Sequence, residues 1–171
     1  MYEPESGASE GLSEPVFINS EEEAAQVLPK DPFHDLYAIW RGWDEAEDRV
    51  PFRRCLEPTD LTRFLSHMML IERLPEGEFF YRVVGTHIVA AVGFDPTMKP
   101  MHELPEYVDT DAVTAAFQSA LDRKRPRFEL MTGRIFAKNW TTYRRLLLPM
   151  ADDSGTVRFI LGCVHGQATD P

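Results

Sequence analysis

The chain has 171 residues, of which 43% are hydrophobic and 27% charged, and its net charge is −10. This length and composition are typical of one domain with a buried core, and no apolar run is long enough to cross a membrane. The acidic balance argues against nucleic-acid binding, which needs a basic face. Because no signal-peptide pattern begins the chain, and because Cys55 and Cys163 lack metal-like spacing, we expect a cytoplasmic protein with two reduced structural cysteines.

The negative charge is concentrated near the N-terminus. Residues 1–31 contain eight acidic residues and one basic residue, Lys30, and the segment is rich in Glu, Ser, Gly and Pro. Such composition is typical of chain that does not bury enough apolar surface to fold by itself. We therefore predict a flexible acidic extension over residues 1–30, with a short helix near 21–28, and a folded domain over residues 31–168.

An aromatic stripe follows this extension. Asp31-Pro32 favours a helix start, because a carboxylate can cap the helix and proline suits its first position. The apolar residues that follow are three or four positions apart, so they share one helix face. They are Phe33, Leu36, Tyr37, Trp40 and Trp43. A face so rich in rings is typical of a core or of a dimer surface.

The remaining chain alternates strands and helices. A short helix is predicted over 57–65, and strands over 67–73 and 78–85 form a hairpin. One or two helical turns at 87–92 end at Gly93, and 94–104 is predicted as loop and irregular helix. Asp109 or Thr110 then begins the longest helix, and strands over 127–136, 141–150 and 156–165 complete an α+β domain. The buried face of that helix is predicted to contain Val113, Ala116, Phe117, Ala120 and Leu121.

Five short motifs follow one another between the Trp40 helix and the C-terminal region. They are Pro58-x-Asp60-Leu61, Tyr81-Arg-Val-Val-Gly-Thr86, Gly93-x-Asp95, Tyr143-Arg-Arg-Leu-Leu-Leu-Pro149 and Asp153-x-Gly155. In order and spacing they resemble PAS domains, and most closely a bacterial subgroup that often forms most of a short protein. Met98 departs from the pattern, because the subgroup usually has glycine there, and this places the local turn and the pocket floor in question.

The resemblance implies a five-stranded antiparallel sheet with helices over one face and an N-terminal helix. In such domains a cavity between the long helix and the sheet can hold a small ligand. Its candidate lining residues here are Tyr81, Val113, Phe117, Leu121 and Arg145. The N-terminal helix commonly supports dimerisation, a role that would fall on Phe33, Leu36, Tyr37, Trp40 and Trp43.

The sequence favours neither a cofactor nor a metal. A haem would need a histidine aimed into the cavity, and His87 and His102 are the only candidates, which we interpret as solvent-facing or capping residues. A photoreactive flavin site would need a cysteine in the helical segment, but none lies between Cys55 and Cys163. The five histidines are scattered without the spacing of metal ligands.

Two arginines, Arg82 and Arg145, interrupt apolar strands. A buried arginine needs a carboxylate or several carbonyl partners. We favour salt bridges to Asp60, Glu72 or Glu129, and in particular a cross-strand pair between Glu129 and Arg145. The alternative is recognition of an anionic ligand or of an acidic group on a partner.

The resulting functional hypothesis is a non-enzymatic sensory, signalling or adaptor module. It would act as a homodimer through contact with a separate signalling protein, because no effector domain is visible in the remaining residues, and it would bind a small ligand in an apolar cavity. The competing hypothesis is a small α+β cone enzyme that uses His87, Glu129 and Arg145 in acid–base chemistry. A third is a structural interaction domain without a cavity.

Overall fold

The computed structural model describes residues 14–44, 49–132 and 140–168. Its first half contains β1 (Val16–Phe17), α1 (Glu21–Val27), a π-helical turn (Lys30–His34), α2 (Asp35–Gly42), 3-10 helices at Arg53–Cys55 and Pro58–His67, β2 (Met68–Arg73) and β3 (Phe79–Val84). Its second half contains α3 (Thr86–Val92), β4 (Lys99–Pro100), a 3-10 helix (Met101–Glu103), α4 (Thr110–Arg123), β5 (Arg127–Thr132), β6 (Trp140–Ala151) and β7 (Val157–Ala168).

The strands form one antiparallel sheet in the order β1-β5-β6-β7-β2-β3-β4. The predicted α+β, PAS-like fold is confirmed, and the predicted hairpin is β2 paired with β3. The five predicted strands are the five long ones. Within the described residues the sheet has seven strands rather than five, because the two-residue strands β1 and β4 extend its two edges.

Both faces of the sheet are covered. On one face, Leu146 and Leu148 of β6 pack in a first core with α1, α2 and the 3-10 helix Pro58–His67. On the other face, Leu147 packs in a second core with α3 and α4. Burial on both sides explains why β6 contains a continuous apolar run rather than an alternating pattern.

The aromatic stripe of α2 and the preceding turn belongs to the first core. Phe33, Leu36, Tyr37 and Trp40 are at most 5% exposed, and the Trp40 indole Nε1 donates a hydrogen bond to the Pro149 carbonyl oxygen at 3.1 Å. Trp43 is half-buried, and its Nε1 donates to Asp60 Oδ2 at 3.3 Å. The stripe predicted as a dimer interface therefore covers the sheet of its own chain, because β6 and β7 present an apolar face that would otherwise be exposed.

The described part of the N-terminal segment also packs against the domain. β1 pairs with β5, and Ile18 and Ala24 are 2% and 0% exposed. Ser20 caps α1 by accepting a hydrogen bond from the Glu23 amide at 3.1 Å, and Glu23 Oε2 accepts one from the Asn19 amide at 2.8 Å. Residues 14–30 thus form a short strand and a capped helix that pack on the domain, while the flexibility of the extension and the domain boundary at residue 31 stay predictions. Residues 1–13 lie outside the described ranges.

Most predicted boundaries agree with the structure to within a few residues. Asp109 caps α4 by accepting a hydrogen bond from the Ala112 amide at 3.0 Å. Gly93 ends α3 with φ of 81°, and Met98 adopts φ of 60°, so the turn is kept without the glycine of the subgroup. The predicted strand over 127–136 is observed to Thr132. Residues 133–136 and the predicted turn at 138–139 lie outside the described ranges.

Candidate functional site

A cavity of about 80 Å³ lies between the sheet, α3, α4 and the segment that joins these helices. It is smaller than the roughly 300–1,000 Å³ of pockets for drug-sized ligands, and it is nearer in scale to a cavity that accepts a benzene ring. The wall is apolar apart from two tyrosines and one arginine. The lining residues are Met69, Tyr81, Val84, Ile88, Val92, Phe94, Pro96, Leu104, Val108, Val113, Phe117, Tyr143, Arg145 and Val164.

The apolar wall follows from the strand and helix patterns. Tyr81 on β3 and Tyr143 on β6 point from the sheet to the same face as the second core. Val113 and Phe117 are four residues apart on α4, so they lie on one side of the helix. The Phe117 ring contacts the Phe79 ring edge-on, with centroids 5.4 Å apart, and the Arg145 guanidinium carbon lies 5.7 Å from the Phe117 ring centroid.

The polar part of the site is a buried network around Glu129. Arg145 Nε donates to Glu129 Oε1 at 2.7 Å, and Arg127 Nη2 donates to Glu129 Oε2 at 2.8 Å. Arg127 Nη1 also donates to Ser119 Oγ on α4 at 2.9 Å. Glu129 and Arg145 are each 6% exposed. The predicted cross-strand pair is confirmed, and one carboxylate is shared between two guanidinium groups.

Both tyrosines at the cavity wall remain protonated across the physiological pH range. Burial raises the pKa of Tyr81 to about 12, against a smaller lowering effect of the Arg145 charge. Burial likewise raises the pKa of Tyr143, which is also affected by Arg145 and Glu129. Both phenols are therefore neutral, and that of Tyr81 can donate a hydrogen bond to a ligand.

The structure brings four of the five predicted lining residues to the cavity. Tyr81, Val113, Phe117 and Arg145 lie at its wall. Leu121 is 2% exposed in the same core but one helical turn farther along α4, away from the wall. Their role in ligand binding stays a prediction. The sequence reading missed the wall residues contributed by α3 and residues 94–108, because an irregular segment has no periodicity that shows its inner side.

Comparison with known protein families assigns the chain to one of them. A family model described as PAS domain matches residues 30–165. The chain belongs to the PAS domain family. No curated protein is similar to the chain at a significant level. The crystal structure of a sensory box sensor histidine kinase from Vibrio cholerae is similar at 18% identity and a TM-score of 0.48, over 66% of this chain and 90% of that one, a likeness too distant to support an argument.

Three histidines of this PAS domain form a stack outside the cavity. The His67 ring lies between the rings of His87 and His165, with centroid distances of 4.2 and 4.5 Å. Burial lowers the pKa of His67 from its usual value, and the His165 and His87 charges lower it further. The stack joins the end of the 3-10 helix Pro58–His67, the start of α3 and the end of β7.

The residues of the enzyme hypothesis do not converge on the cavity. Of His87, Glu129 and Arg145, only Arg145 lies at its wall, and His87 is an exposed member of the histidine stack. His102, the other predicted haem candidate, is exposed and paired with Glu78. Among the described residues, no group of three or more His, Cys, Asp or Glu residues is arranged to hold a metal ion.

The remaining predictions concern charge and cysteine. Arg82 pairs with Glu72, which also pairs with Arg158 at 3.0 Å, so the salt bridges expected for both strand arginines are confirmed. Cys55 and Cys163 are free thiols, and burial raises the pKa of Cys163 to about 12. Within the described ranges, no helix combines the length and apolar character that a membrane crossing requires.

Proposed function

We propose that this PAS domain is a sensory module that binds a small, largely apolar ligand in its cavity and signals to a separate protein by direct contact. The observation that carries this proposal is the apolar cavity itself. Its floor is the sheet, and its other walls are α3, α4 and the segment between them. An apolar pocket with a few polar groups is the usual form of a small-molecule site.

The segment that closes the cavity offers a route from ligand to surface. Phe94 lines the cavity, and its ring lies 6.1 Å from that of Tyr107. Tyr107 is 58% exposed, and its hydroxyl donates a hydrogen bond to the Val92 carbonyl oxygen at 3.0 Å. Met98, on the same segment, is 59% exposed. A ligand that moves Phe94 would therefore alter an exposed apolar surface suited to a partner, provided that it binds one arrangement better than the other.

The aromatic stripe of α2 is not part of this proposal. Because its side chains are buried in their own chain, dimerisation through them would require exposure of the first core. We also propose that the protein acts in the cytoplasm and signals to a separate partner. Its oligomeric state is measured, as the mass of the intact assembly, in the experiment below.

Native mass spectrometry of gently purified protein tests the proposal. Val113→Phe adds bulk at the cavity wall, and Val83→Phe is the matched control, since Val83 is 53% exposed and does not line the cavity. We expect the wild type and the control to retain a small molecule that the cavity variant has lost. Hydrogen exchange is expected to slow in α3 and residues 94–108 of the ligand-bound form. Equal bound mass in all three proteins, or none in any, would contradict ligand binding in this cavity.

A further inference from the structure

The Glu129 network carries one more positive charge than negative charge beside an apolar cavity. Arg127 and Arg145 both pair with Glu129, at 2.8 and 2.5 Å. The Arg145 charge acts on both Tyr81 and Tyr143, where it opposes the rise in pKa that burial causes. An uncompensated charge in a poorly hydrated site is costly, and an anion bound next to it would recover part of that cost.

Two donor groups at the cavity wall have no protein acceptor among the described residues. Within the described part of the chain, neither Arg145 Nη1 nor the Tyr81 hydroxyl has a hydrogen-bond partner. Arg145 is 6% and Tyr81 7% exposed, and both line the cavity. Both donor atoms reach the cavity space rather than being sealed in the core, so an acceptor on a bound ligand can satisfy both of them.

The rest of the wall indicates the chemistry of the ligand body to which the acceptor group is attached. Eleven of the fourteen lining residues are aliphatic side chains, phenylalanine or proline. A multiply charged anion would leave charge unpaired against this surface, whereas one carboxylate on an apolar body matches both parts of the cavity. The volume of about 80 Å³ is roughly half that of an engineered apolar cavity that binds benzene, so even a single ring or a short acyl chain must widen the cavity as it enters.

We propose that the cavity recognises a small monocarboxylate with an apolar body. Its carboxylate accepts hydrogen bonds from Arg145 Nη1 and the Tyr81 hydroxyl, and its body packs against Val113 and Phe117. The ligand carboxylate balances the charge of the Glu129 network. This inference rests on the proposed function of the cavity as a ligand site, and it adds the chemical class of the ligand.

Calorimetric titration of the full chain with benzoate, hexanoate and benzamide tests the inference. Benzamide has nearly the shape of benzoate without its charge. We expect at least one of the two carboxylates, benzoate or hexanoate, to bind. We expect benzoate to bind about ten- to a hundredfold more tightly than benzamide, because one or two charge-assisted hydrogen bonds provide a difference of that size. A preference for hexanoate over benzoate would identify an acyl body, and the reverse an aromatic one.

Three variants locate the effect. Arg145→Met leaves a balanced Arg127–Glu129 pair. In this variant we expect benzoate to bind no more tightly than benzamide, while benzamide itself still binds. Tyr81→Phe removes one donor and should weaken benzoate binding several-fold, which keeps the test available if Arg145→Met fails to fold. Arg144→Met is the matched control: Arg144 is exposed on the same strand and should leave both affinities unchanged.

The possible failures are distinguishable. Equal affinity of the wild type for benzoate and benzamide would overturn the anion inference but leave the cavity as a ligand site. Carboxylate binding that survives both Arg145→Met and Tyr81→Phe would overturn the assignment of these donors. If no probe binds but native mass spectrometry detects a ligand that the cavity variant loses, the ligand class is wrong and the proposed function stands. If neither experiment finds a ligand, both fail.

Discussion

Replacing Glu129 with glutamine removes the one carboxylate that holds two buried arginines. The change keeps the shape of the side chain but leaves two guanidinium groups together without a counter-charge. Breaking a buried ion pair by removing one partner typically costs about 3–5 kcal/mol. Arg127 has some access to water, with 15% of its side chain exposed, so the lower half of this range is the better expectation.

Urea unfolding followed by circular dichroism measures this cost. With a slope of about 2 kcal/mol per M, a loss of about 3–4 kcal/mol lowers the midpoint by about 1.5–2 M. Arg145→Met should cost less, about 1–2 kcal/mol, because Glu129 keeps its bond to Arg127. The order of the two variants therefore tests the shared-carboxylate geometry and not merely burial.

A surface pair supplies the control. Arg54 and Asp153 lie 2.9 Å apart with side chains 56% and 82% exposed, so Asp153→Asn should change the free energy of unfolding by no more than about 0.5 kcal/mol. If Glu129→Gln costs as little as this control, or less than Arg145→Met, Glu129 does not serve as the shared counter-charge of two buried arginines.

Three further changes have defined expectations. Met98→Gly should stabilise the protein by about 0.5–1 kcal/mol in urea unfolding, because glycine tolerates the φ of 60° there, and a loss of stability would contradict this. Gly85→Ala should cost about 3 kcal/mol, since a Cβ would lie 2.4 Å from the carbonyl oxygens of Leu65 and Ser66; a neutral result would show that these segments separate easily. The pKa of His67 is lower in the folded protein than in the unfolded chain, so the unfolded chain takes up a proton first as the pH falls. The contribution of His67 to the free energy of unfolding is therefore full above about pH 6.5 and decreases below it. His67→Phe keeps an aromatic ring without this titration, and an unchanged pH slope in the variant would contradict the assignment.

The strands and α4 were predictable because their signals are local. β-branched and aromatic runs separated by turn residues indicate strands, and Asp109 followed by apolar residues at helical spacing indicates a capped helix with one buried side. The same spacing cannot say what covers the buried side. That is why the stripe from Phe33 to Trp40 read equally well as a dimer surface and as core, and why the structure was needed to show it against β6 and β7.

Two features had signals that were available but unused. Ser20-x-x-Glu23 is a helix-start pattern, and it indicates that part of the acidic N-terminal segment is ordered. Arg127 and Glu129 are two residues apart on one strand, so they face the same side, and the arginine could have been added to the predicted Glu129–Arg145 pair. The histidine stack had no local signal, because its members come from three elements that meet only when the end of β7 lies beside the start of β2.

Methyl NMR with benzene as an apolar probe tests most directly whether the cavity is open to a ligand. We predict shifts for the methyl groups of Val84, Val113 and Val164, which line the cavity, and none for Leu146 and Leu148, which lie in the core on the opposite face of the sheet. The shifts should disappear in Val113→Phe. Shifts confined to the opposite core, or no shifts at a benzene concentration near saturation, would show that the second core has no accessible space and that the cavity is not a ligand site.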